Sequence, residues 1–280
     1  MNKIFWYLSK YLSWHKKYIF QIYINLILSF NKKIFVNLFN ITSFLRRKDV
    51  RIEFLSSENI FRVKSNDRCI YISNKTRSLL YQNGLEETAD LIGKDYLLQH
   101  ITFNNGDTII DCGANVGDLL LFFKKNSINI DYIGFEPSPM EFKCLQRNIS
   151  GGNLKNMGLW SSDGFEYFYV SSEQADSSLI MPKKYSSKIK VKTVKLDNII
   201  NKNIKLLKLE AEGAEPEILQ GAINSLNKIE YISADLGFER GKNSESTLVP
   251  VINFLMGNNF NLVEINHERV VALFKNRRYE

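Results

Sequence analysis

The amino-acid sequence predicts an α/β fold: a Rossmann-like, mostly parallel sheet with helices on both faces and a C-terminal antiparallel hairpin. Three observations support this prediction. From Thr108 onward, short apolar runs alternate with segments of helical periodicity. The run Thr108–Cys112 leads through a glycine turn into a helical pattern, which is typical of a buried strand at a ligand site. Two strand patterns near the C-terminus flank Asn266–Glu268, and such a hairpin makes the last strand of the sheet antiparallel.

Residues 1–50 are predicted to form a basic, aromatic, amphipathic helical arm. Residues 1–51 hold ten Lys or Arg and one acid, whereas residues 52–280 hold 27 Lys or Arg and 29 acids. Lysines fall on one helical face of the arm and Trp, Tyr, Phe and Leu on the other, which suits either an anionic membrane surface or packing on protein. The least polar stretch, residues 18–30, is too short to span a bilayer. The net charge of +7 therefore belongs to the arm, and a near-neutral body argues against a nucleic-acid partner.

Residues 51–100 are predicted as a small lead-in to a main domain over residues 101–280. Val50–Ser73 alternates in places, which indicates short strands or a hairpin, and Thr76–His100 has a helical pattern. Tyr96 and His100 directly precede the glycine turn, but packing on the sheet edge explains them adequately. The three cysteines show neither metal spacing nor a disulfide framework, so a reducing compartment is expected.

After the glycine turn, the order of predicted elements is that of an alternating parallel sheet. The predicted strands are Tyr132–Phe135, Lys155–Leu159, Phe165–Val170, Lys188–Val194, Leu206–Leu209, Tyr231–Leu236, Phe260–Ile265 and Val270–Phe274. The predicted helices are Asp118–Phe123, Met140–Ile149, a segment that ends near Ala222, and Ser246–Met256.

The turn and the next strand end predict a nucleoside site. Its spacing is Gly-x-x-x-Gly, from Gly113 to Gly117, rather than the Gly-x-Gly-x-x-Gly of a pyrophosphate clamp, which disfavours NAD. Asp111 would repel a phosphate and attract a cation. Glu136 ends the following strand, 25 residues later, where an acid can accept hydrogen bonds from ribose hydroxyls. A cationic nucleoside such as S-adenosylmethionine satisfies all of these features.

Three motifs in order resemble the FkbM-type S-adenosylmethionine-dependent methyltransferases, over about residues 70–275. They are Ile110-Asp-Cys-Gly-Ala-Asn-Val-Gly117, Phe135-Glu-Pro137 and Lys208-Leu-Glu-Ala-Glu-Gly-Ala-Glu215. The segment Asp235–Gly241 also looks like the family's fifth-strand segment. Glu210 stands where the family usually has Asp.

The resemblance implies a class I methyltransferase fold and O-methyl transfer, often to a sugar hydroxyl. It implies S-adenosylmethionine as the cofactor. The methionine end would lie at the glycine turn, the ribose at the Glu136–Pro137 strand end and the adenine near Asn156–Asp163. The cofactor-binding residues so implied are Asp111, Gly113, Ala114, Asn115, Gly117, Glu136, Pro137 and Asp163.

Carboxylates crowd the end of the fourth strand, where an acceptor is expected. Glu210 or Glu212 is the candidate base that removes the hydroxyl proton. Glu215 and Arg240 are candidate substrate residues, although Glu215 could instead support the helix start and Arg240 could form a surface salt bridge. The acids could also bind a divalent cation, but their spacing does not support a metal site.

The prediction is a cytoplasmic methyltransferase, peripheral on the inner membrane face, that acts on a saccharide or glycolipid acceptor. Two alternatives stay open from the sequence. One is a non-catalytic binding module with a methyltransferase fold, and the other is an NAD-dependent oxidoreductase.

Overall fold

The computed structural model describes Ile22, residues 24–171 and residues 177–280. The chain divides into two compact units, one that ends at Thr88 and one that runs from Ala89 to Glu280. The predicted divisions were at residues 50 and 100. Residues 1–21 and 23 of the predicted arm lie outside the described residues. No helix in the described part of the chain is long and apolar enough to cross a membrane.

The first unit contains a helix and a small antiparallel sheet in the order β1-β2-β3. Its elements are α1 (Lys32–Leu45), β1 (Val50–Leu55), β2 (Ile60–Ser65) and β3 (Arg68–Ile72). The Asn31 side chain accepts a hydrogen bond from the Ile34 amide and so caps the start of α1. Phe35 and Phe39 of α1 are buried, and Phe35 contacts Phe61 of β2 edge to face.

The prediction of one continuous helix over Thr76–His100 is wrong. The segment contains a 3₁₀ turn at Arg77–Tyr81, helix α2 (Leu85–Asp95) and a second 3₁₀ turn at Leu98–His100. Gly84 has a φ of +108°, which no helix accommodates, and Leu97 is left-handed with a φ of +59°. The prediction of one continuous helix rested on hydrophobic periodicity alone, which reveals neither break.

The second unit is built on a seven-stranded sheet in the order β14-β15-β11-β10-β4-β5-β6. Its strands are β4 (Thr108–Cys112), β5 (Asp131–Phe135), β6 (Asn153–Lys155), β10 (Ile204–Leu209), β11 (Ile229–Asp235), β14 (Phe260–Asn266) and β15 (Val271–Asn276). The strands from β11 to β6 are parallel, and β15 pairs antiparallel with both β11 and β14. The predicted α/β class I methyltransferase architecture, with its C-terminal antiparallel hairpin, is confirmed.

Alternate residues of the central strands enter two separate hydrophobic cores, one on each face of the sheet. Leu206 of β10 lies beside Ile109 of β4 in one core, and Leu207 lies beside Ile110 in the other. Because both faces are covered, these strands are apolar at nearly every position. The covering helices are α3 (Leu119–Lys125), α4 (Pro139–Asn148), α5 (Glu215–Gln220) and α6 (Leu248–Gly257).

Two smaller sheets complete the second unit. One has the order β7-β9-β8, from β7 (Gly158–Leu159), β8 (Gly164–Val170) and β9 (Ser187–Val194). The other pairs β12 (Phe238–Arg240) with β13 (Glu245–Ser246). The strand predicted over Lys155–Leu159 is therefore two short strands that belong to different sheets.

Candidate active site

The carboxyl ends of β4 and β10 approach closely at the glycine turn. Gly113 and Gly117 have φ values of +72° and +83°, and Asn115 between them has +48°. A Cβ on Gly113 would lie 2.0 Å from the carbonyl oxygen of Glu210, so only glycine fits there. A Cβ on Gly117 would meet Leu145 and Ile149 at 2.8 Å. The turn is therefore held against β10 on one side and α4 on the other.

Glu136 joins the end of β5 to the glycine turn. Its carboxylate accepts hydrogen bonds from the backbone amides of Asn115 and Ser138, each at 2.8 Å. The residue is 5% exposed, and this burial raises the pKa of its carboxyl to about 8. Each oxygen accepts one of these bonds and keeps capacity for another donor, such as a ribose hydroxyl. The Asn156 amide binds the carbonyls of Glu136 and Pro137 and so orders this strand end.

Asn115 supplies an acceptor that the protein itself does not use. Its side-chain oxygen Oδ1 is buried and has no hydrogen-bond partner among the described residues. A buried acceptor without a donor costs free energy, so such a group points to a missing ligand. An ammonium group is the kind of donor that it fits, which agrees with the methionine end of S-adenosylmethionine.

Asp111 lies beneath the turn rather than on its surface. It is 1% exposed, accepts a hydrogen bond from the Tyr132 hydroxyl at 2.7 Å and lies 3.1 Å from the Lys208 ammonium. The Ala114 side chain is also buried, and the Ala114 amide donates to the Phe135 carbonyl. Asp111 and Ala114 thus support the turn, and their predicted cofactor-binding roles stay predictions.

Lys208 is the centre of a buried ionic cluster below the strand ends. Its ammonium lies 3.0 Å from Glu210 as well as near Asp111, and it donates to the Gly113 carbonyl at 2.9 Å. Burial opposes its charge, but Asp111, Tyr96 and Glu210 raise the pKa of the ammonium well above its usual value. Lys208 therefore carries a positive charge inside the protein and fixes the turn through both backbone and carboxylates.

Arg269, from the β14–β15 connection, enters the same cluster. Its guanidinium contacts Asp235 at 2.6 Å, and it contacts Glu210 and Asp95 at 3.2 Å each. The Tyr96 hydroxyl donates a hydrogen bond to Glu210, and the Tyr96 ring lies near the Lys208 ammonium and the Arg269 guanidinium. Burial raises the pKa of Asp95 to about 6, with Arg269 acting in the opposite direction. The cluster contains four carboxyl groups and two cations, so it favours a positively charged neighbour.

The two candidate bases differ in their surroundings. The Glu210 carboxylate is bound by Lys208, Arg269 and the Tyr96 hydroxyl. Glu212 lies in the turn that follows β10 and is half-buried, with a left-handed φ of +51°. The Glu212 carbonyl accepts a hydrogen bond from the Ser178 hydroxyl at 2.8 Å. Glu210 is thus part of the supporting cluster, whereas Glu212 belongs to the turn that follows β10, and both are half-buried.

The structure gives Glu215 and Arg240 structural partners. Glu215 is 1% exposed and accepts from the amides of Ala211 and Gly213 and from the Thr247 hydroxyl. Arg240 forms a two-bonded salt bridge with Glu217 and donates to the Gly213 carbonyl. These contacts give no support to the predicted substrate roles and favour the structural alternatives.

Asp163 lies just before β8. Its two oxygens accept from the Lys195 amide at 2.7 Å and from the Asn198 side chain at 2.6 Å. These contacts support the 3₁₀ turn Leu196–Asn198 and leave the adenine role of Asp163 as a prediction. His267 is exposed. Among the described residues, no group of three or more His, Cys, Asp or Glu could hold a metal ion.

Sequence reasoning did not assign Lys208, Arg269, Asp235 or Asp95 to the site. The sequence does contain a signal for Lys208, because a lysine within an otherwise buried strand needs a charged partner. It contains no such signal for Arg269, since Arg269 follows an ordinary hairpin turn. Tyr96 was interpreted as a packing residue, and the structure shows that it also binds Glu210.

Comparisons with known proteins show the family of the chain. The family model "Methyltransferase FkbM domain" matches residues 111–279, more than half of the chain. "Methyltransferase 1" of Beauveria bassiana is 24% identical in an alignment of length 148, and the match covers 42% of this chain and 59% of that protein. "Methyltransferase sdnD" of Sordaria araneosa is 26% identical in an alignment of length 153, and the match covers 40% of this chain and 59% of that protein. The matched regions thus span little more than half the length of these relatives.

Among solved structures, the methyltransferase FkbM from Methylobacillus flagellatus KT is similar to this chain, with a TM-score of 0.45 and 15% identity. The alignment covers 73% of this chain and 56% of that one. The extent of the family match is what identifies the protein: the chain belongs to the FkbM methyltransferase family.

Proposed function

We propose that the protein is an S-adenosylmethionine-dependent methyltransferase that methylates a hydroxyl group of a saccharide or glycolipid. The observation that carries the proposal is the buried, unpartnered Oδ1 of Asn115 in the glycine turn. It lies in a site whose supporting cluster has more carboxyl groups than cations. A cofactor with an ammonium and a sulfonium group matches that electrostatic environment.

Different residues would bind different parts of the cofactor. Asn115 would accept from the ammonium group, and the left-handed backbone at Gly113 and Gly117 would let the ligand approach closely. Glu136, already oriented by two backbone amides, would accept from the ribose hydroxyls. When bound, S-adenosylmethionine supplies an electrophilic methyl group, and the protein's contribution is to position an acceptor oxygen in line with it.

Glu212 is the residue that we propose as the general base. It lies in the turn that follows β10, and its backbone carbonyl accepts a hydrogen bond from the Ser178 hydroxyl. The Glu210 carboxylate is held by Lys208, Arg269 and Tyr96 and so belongs to the cluster that supports the glycine turn. A positioned base of this kind contributes about 10²- to 10⁴-fold to the rate.

We propose further that the protein works at the cytoplasmic face of a membrane. In the described part of the predicted arm, α1 exposes Ile34, Ile41, Phe44 and Leu45. Lys33, Arg46 and Arg47 are exposed near the same helix. Exposed apolar side chains flanked by basic residues suit an anionic bilayer surface. Packing of this face on a second copy is the alternative, and equal sedimentation with and without anionic vesicles would favour it.

Two measurements test the reaction. Isothermal titration calorimetry should detect S-adenosylmethionine binding in the wild type and weaker binding in Asn115→Ala. Transfer of a labelled methyl group to membrane or polysaccharide extracts should occur with the wild type and fall about 100-fold or more in Glu212→Gln, with cofactor binding unchanged. Binding without any turnover in a broad acceptor screen would favour the non-catalytic module. Heat with NAD but none with S-adenosylmethionine would overturn the proposal.

A further inference from the structure

The strands β8 and β9 form a ribbon whose outer face combines aromatic rings with lysines. Their antiparallel register pairs Phe165 with Lys192, Tyr167 with Lys190 and Tyr169 with Lys188. Because side chains alternate along a strand, all six lie on one face, which we call the lysine–aromatic face. Phe168 and Val191 on the opposite face are buried and hold the ribbon to the protein.

The lysine–aromatic face is open to solvent. Phe165 is 62% exposed and Tyr167 is 51% exposed, and the three lysines are exposed as well. The Lys188 ammonium lies 4.3 Å from the centre of the Tyr167 ring, and the Lys190 ammonium lies 5.3 Å from that of Phe165. The one acidic residue of the two strands, Glu166, belongs to the opposite face. Two large apolar rings thus remain exposed in a strongly basic setting.

The charge of this region differs from that of the surrounding chain. Residues 164–196 contain six basic residues and three acids, whereas the remainder of residues 52–280 contains 21 basic residues and 26 acids. All six basic residues are lysines. Lysine is a hydrated point charge, and arginine is the residue that recognises a single carboxylate or phosphate by two parallel bonds. The composition therefore fits attraction to an extended anionic surface better than recognition of one anionic group.

One face of the Tyr167 ring and one face of the Phe165 ring already meet a lysine ammonium. A nucleic-acid base that stacks on an aromatic side chain needs the ring face itself. At a bilayer, in contrast, the rings can enter the boundary between headgroups and acyl chains while the lysines reach lipid phosphates. We propose that the lysine–aromatic face binds an anionic lipid bilayer. This surface lies outside the predicted arm and does not depend on the reaction proposed above.

Co-sedimentation of the full chain with vesicles tests the proposal. The vesicles are phosphatidylcholine alone or phosphatidylcholine with phosphatidylglycerol. The variant K188Q/K190Q/K192Q should bind the anionic vesicles about tenfold more weakly or worse, since each lysine near such a surface contributes to binding. The control K124Q/K202Q/K242Q removes the same charge from exposed sites elsewhere and should bind like the wild type. Equal losses in the two variants would overturn the proposal.

A local probe separates the ribbon from the arm. In Phe165→Trp, brominated anionic lipids should quench the added fluorescence, relative to wild type carrying the native tryptophans. Phe238 is an exposed residue of β12, and in Phe238→Trp the same lipids should not quench the added fluorescence. Sedimentation of Phe165→Trp without added quenching would mean that the arm alone binds, and the proposal would then be wrong. Binding of oligothymidylate to the ribbon without vesicle binding would show a nucleic-acid surface instead.

Discussion

At the scale of single residues, Gly113 shows how strictly the glycine turn depends on its backbone conformation. Alanine there would combine a left-handed φ of +72° with a Cβ at 2.0 Å from the Glu210 carbonyl oxygen. We predict that Gly113→Ala lowers the free energy of unfolding by about 3 kcal/mol or more, measured by urea denaturation. Gly106 is the matched control, because its φ is +88° and a Cβ would meet nothing within 4 Å. Gly106→Ala should cost only about 1–2 kcal/mol, and equal losses would contradict the close approach.

Glu215 is the residue whose titration should be visible in protein stability. Burial raises the pKa of its carboxyl from 4.5 to about 7, so the folded state binds more protons than the unfolded state between these pH values. Its contribution to stability is therefore present at low pH and is lost as the pH rises through this window. The loss amounts to about 3 kcal/mol.

Glu215→Gln removes this titration while the hydrogen bonds can persist. The amide oxygen accepts from Ala211 and Gly213, and the amide nitrogen donates to the Thr247 hydroxyl. We predict that the variant gains stability relative to the wild type between pH 4.5 and pH 7, measured by urea denaturation across the pH range. Parallel stability curves for the two proteins would show that Glu215 titrates normally.

At the scale of elements, strand β10 carries two lysines whose removal should destabilise the protein to very different extents. Lys208 is buried between Asp111 and Glu210, and its removal leaves both carboxylates without that cation. We predict that Lys208→Met lowers the free energy of unfolding by about 3–5 kcal/mol. Lys205, in the same strand, pairs with Glu230 and is more exposed, so Lys205→Met should cost about 0–1 kcal/mol.

A double variant tests the electrostatic origin of that loss. Adding Asp111→Asn to Lys208→Met removes one of the two uncompensated charges, so it should recover part of the stability. The Tyr132 hydroxyl can still donate to the new amide oxygen. A further loss of the same size in the double variant would show that packing, and not charge, makes Lys208 important.

Elements were predictable where one local pattern specifies them. Alternation between the two cores explains why β4, β10 and β11 were visible as apolar runs, and Asn266–Glu268 marked the hairpin. The break at Leu97 was not predictable, because a leucine in a left-handed conformation leaves no signal in sequence. Arg269 was missed for a related reason: its partners Asp95, Glu210 and Asp235 come together only through sheet topology.

At the scale of the whole molecule, charge is distributed unevenly along the chain. The arm and the lysine–aromatic face are basic, and the carboxyl ends of the sheet are acidic. The average charge of +7 hides this division. A cationic cofactor and an anionic surface can therefore bind the same chain at separate places without competing for the same groups.

Cofactor binding should stabilise the second unit as a whole. A ligand that binds only the folded state at 100 times its dissociation constant adds about 2.7 kcal/mol. For a unit of this size, we expect a rise in Tm of about 5–10 °C with S-adenosylmethionine. Hydrogen exchange should slow at residues 111–117 and 136–138, because the glycine turn and Glu136 would be ordered by the ligand.

Asn115→Ala should need about tenfold more cofactor for the same rise in Tm, since a hydrogen bond to a charged donor is lost. NAD is the control, and a Tm that rises with NAD but not with S-adenosylmethionine would mean that the turn binds a different class of nucleoside.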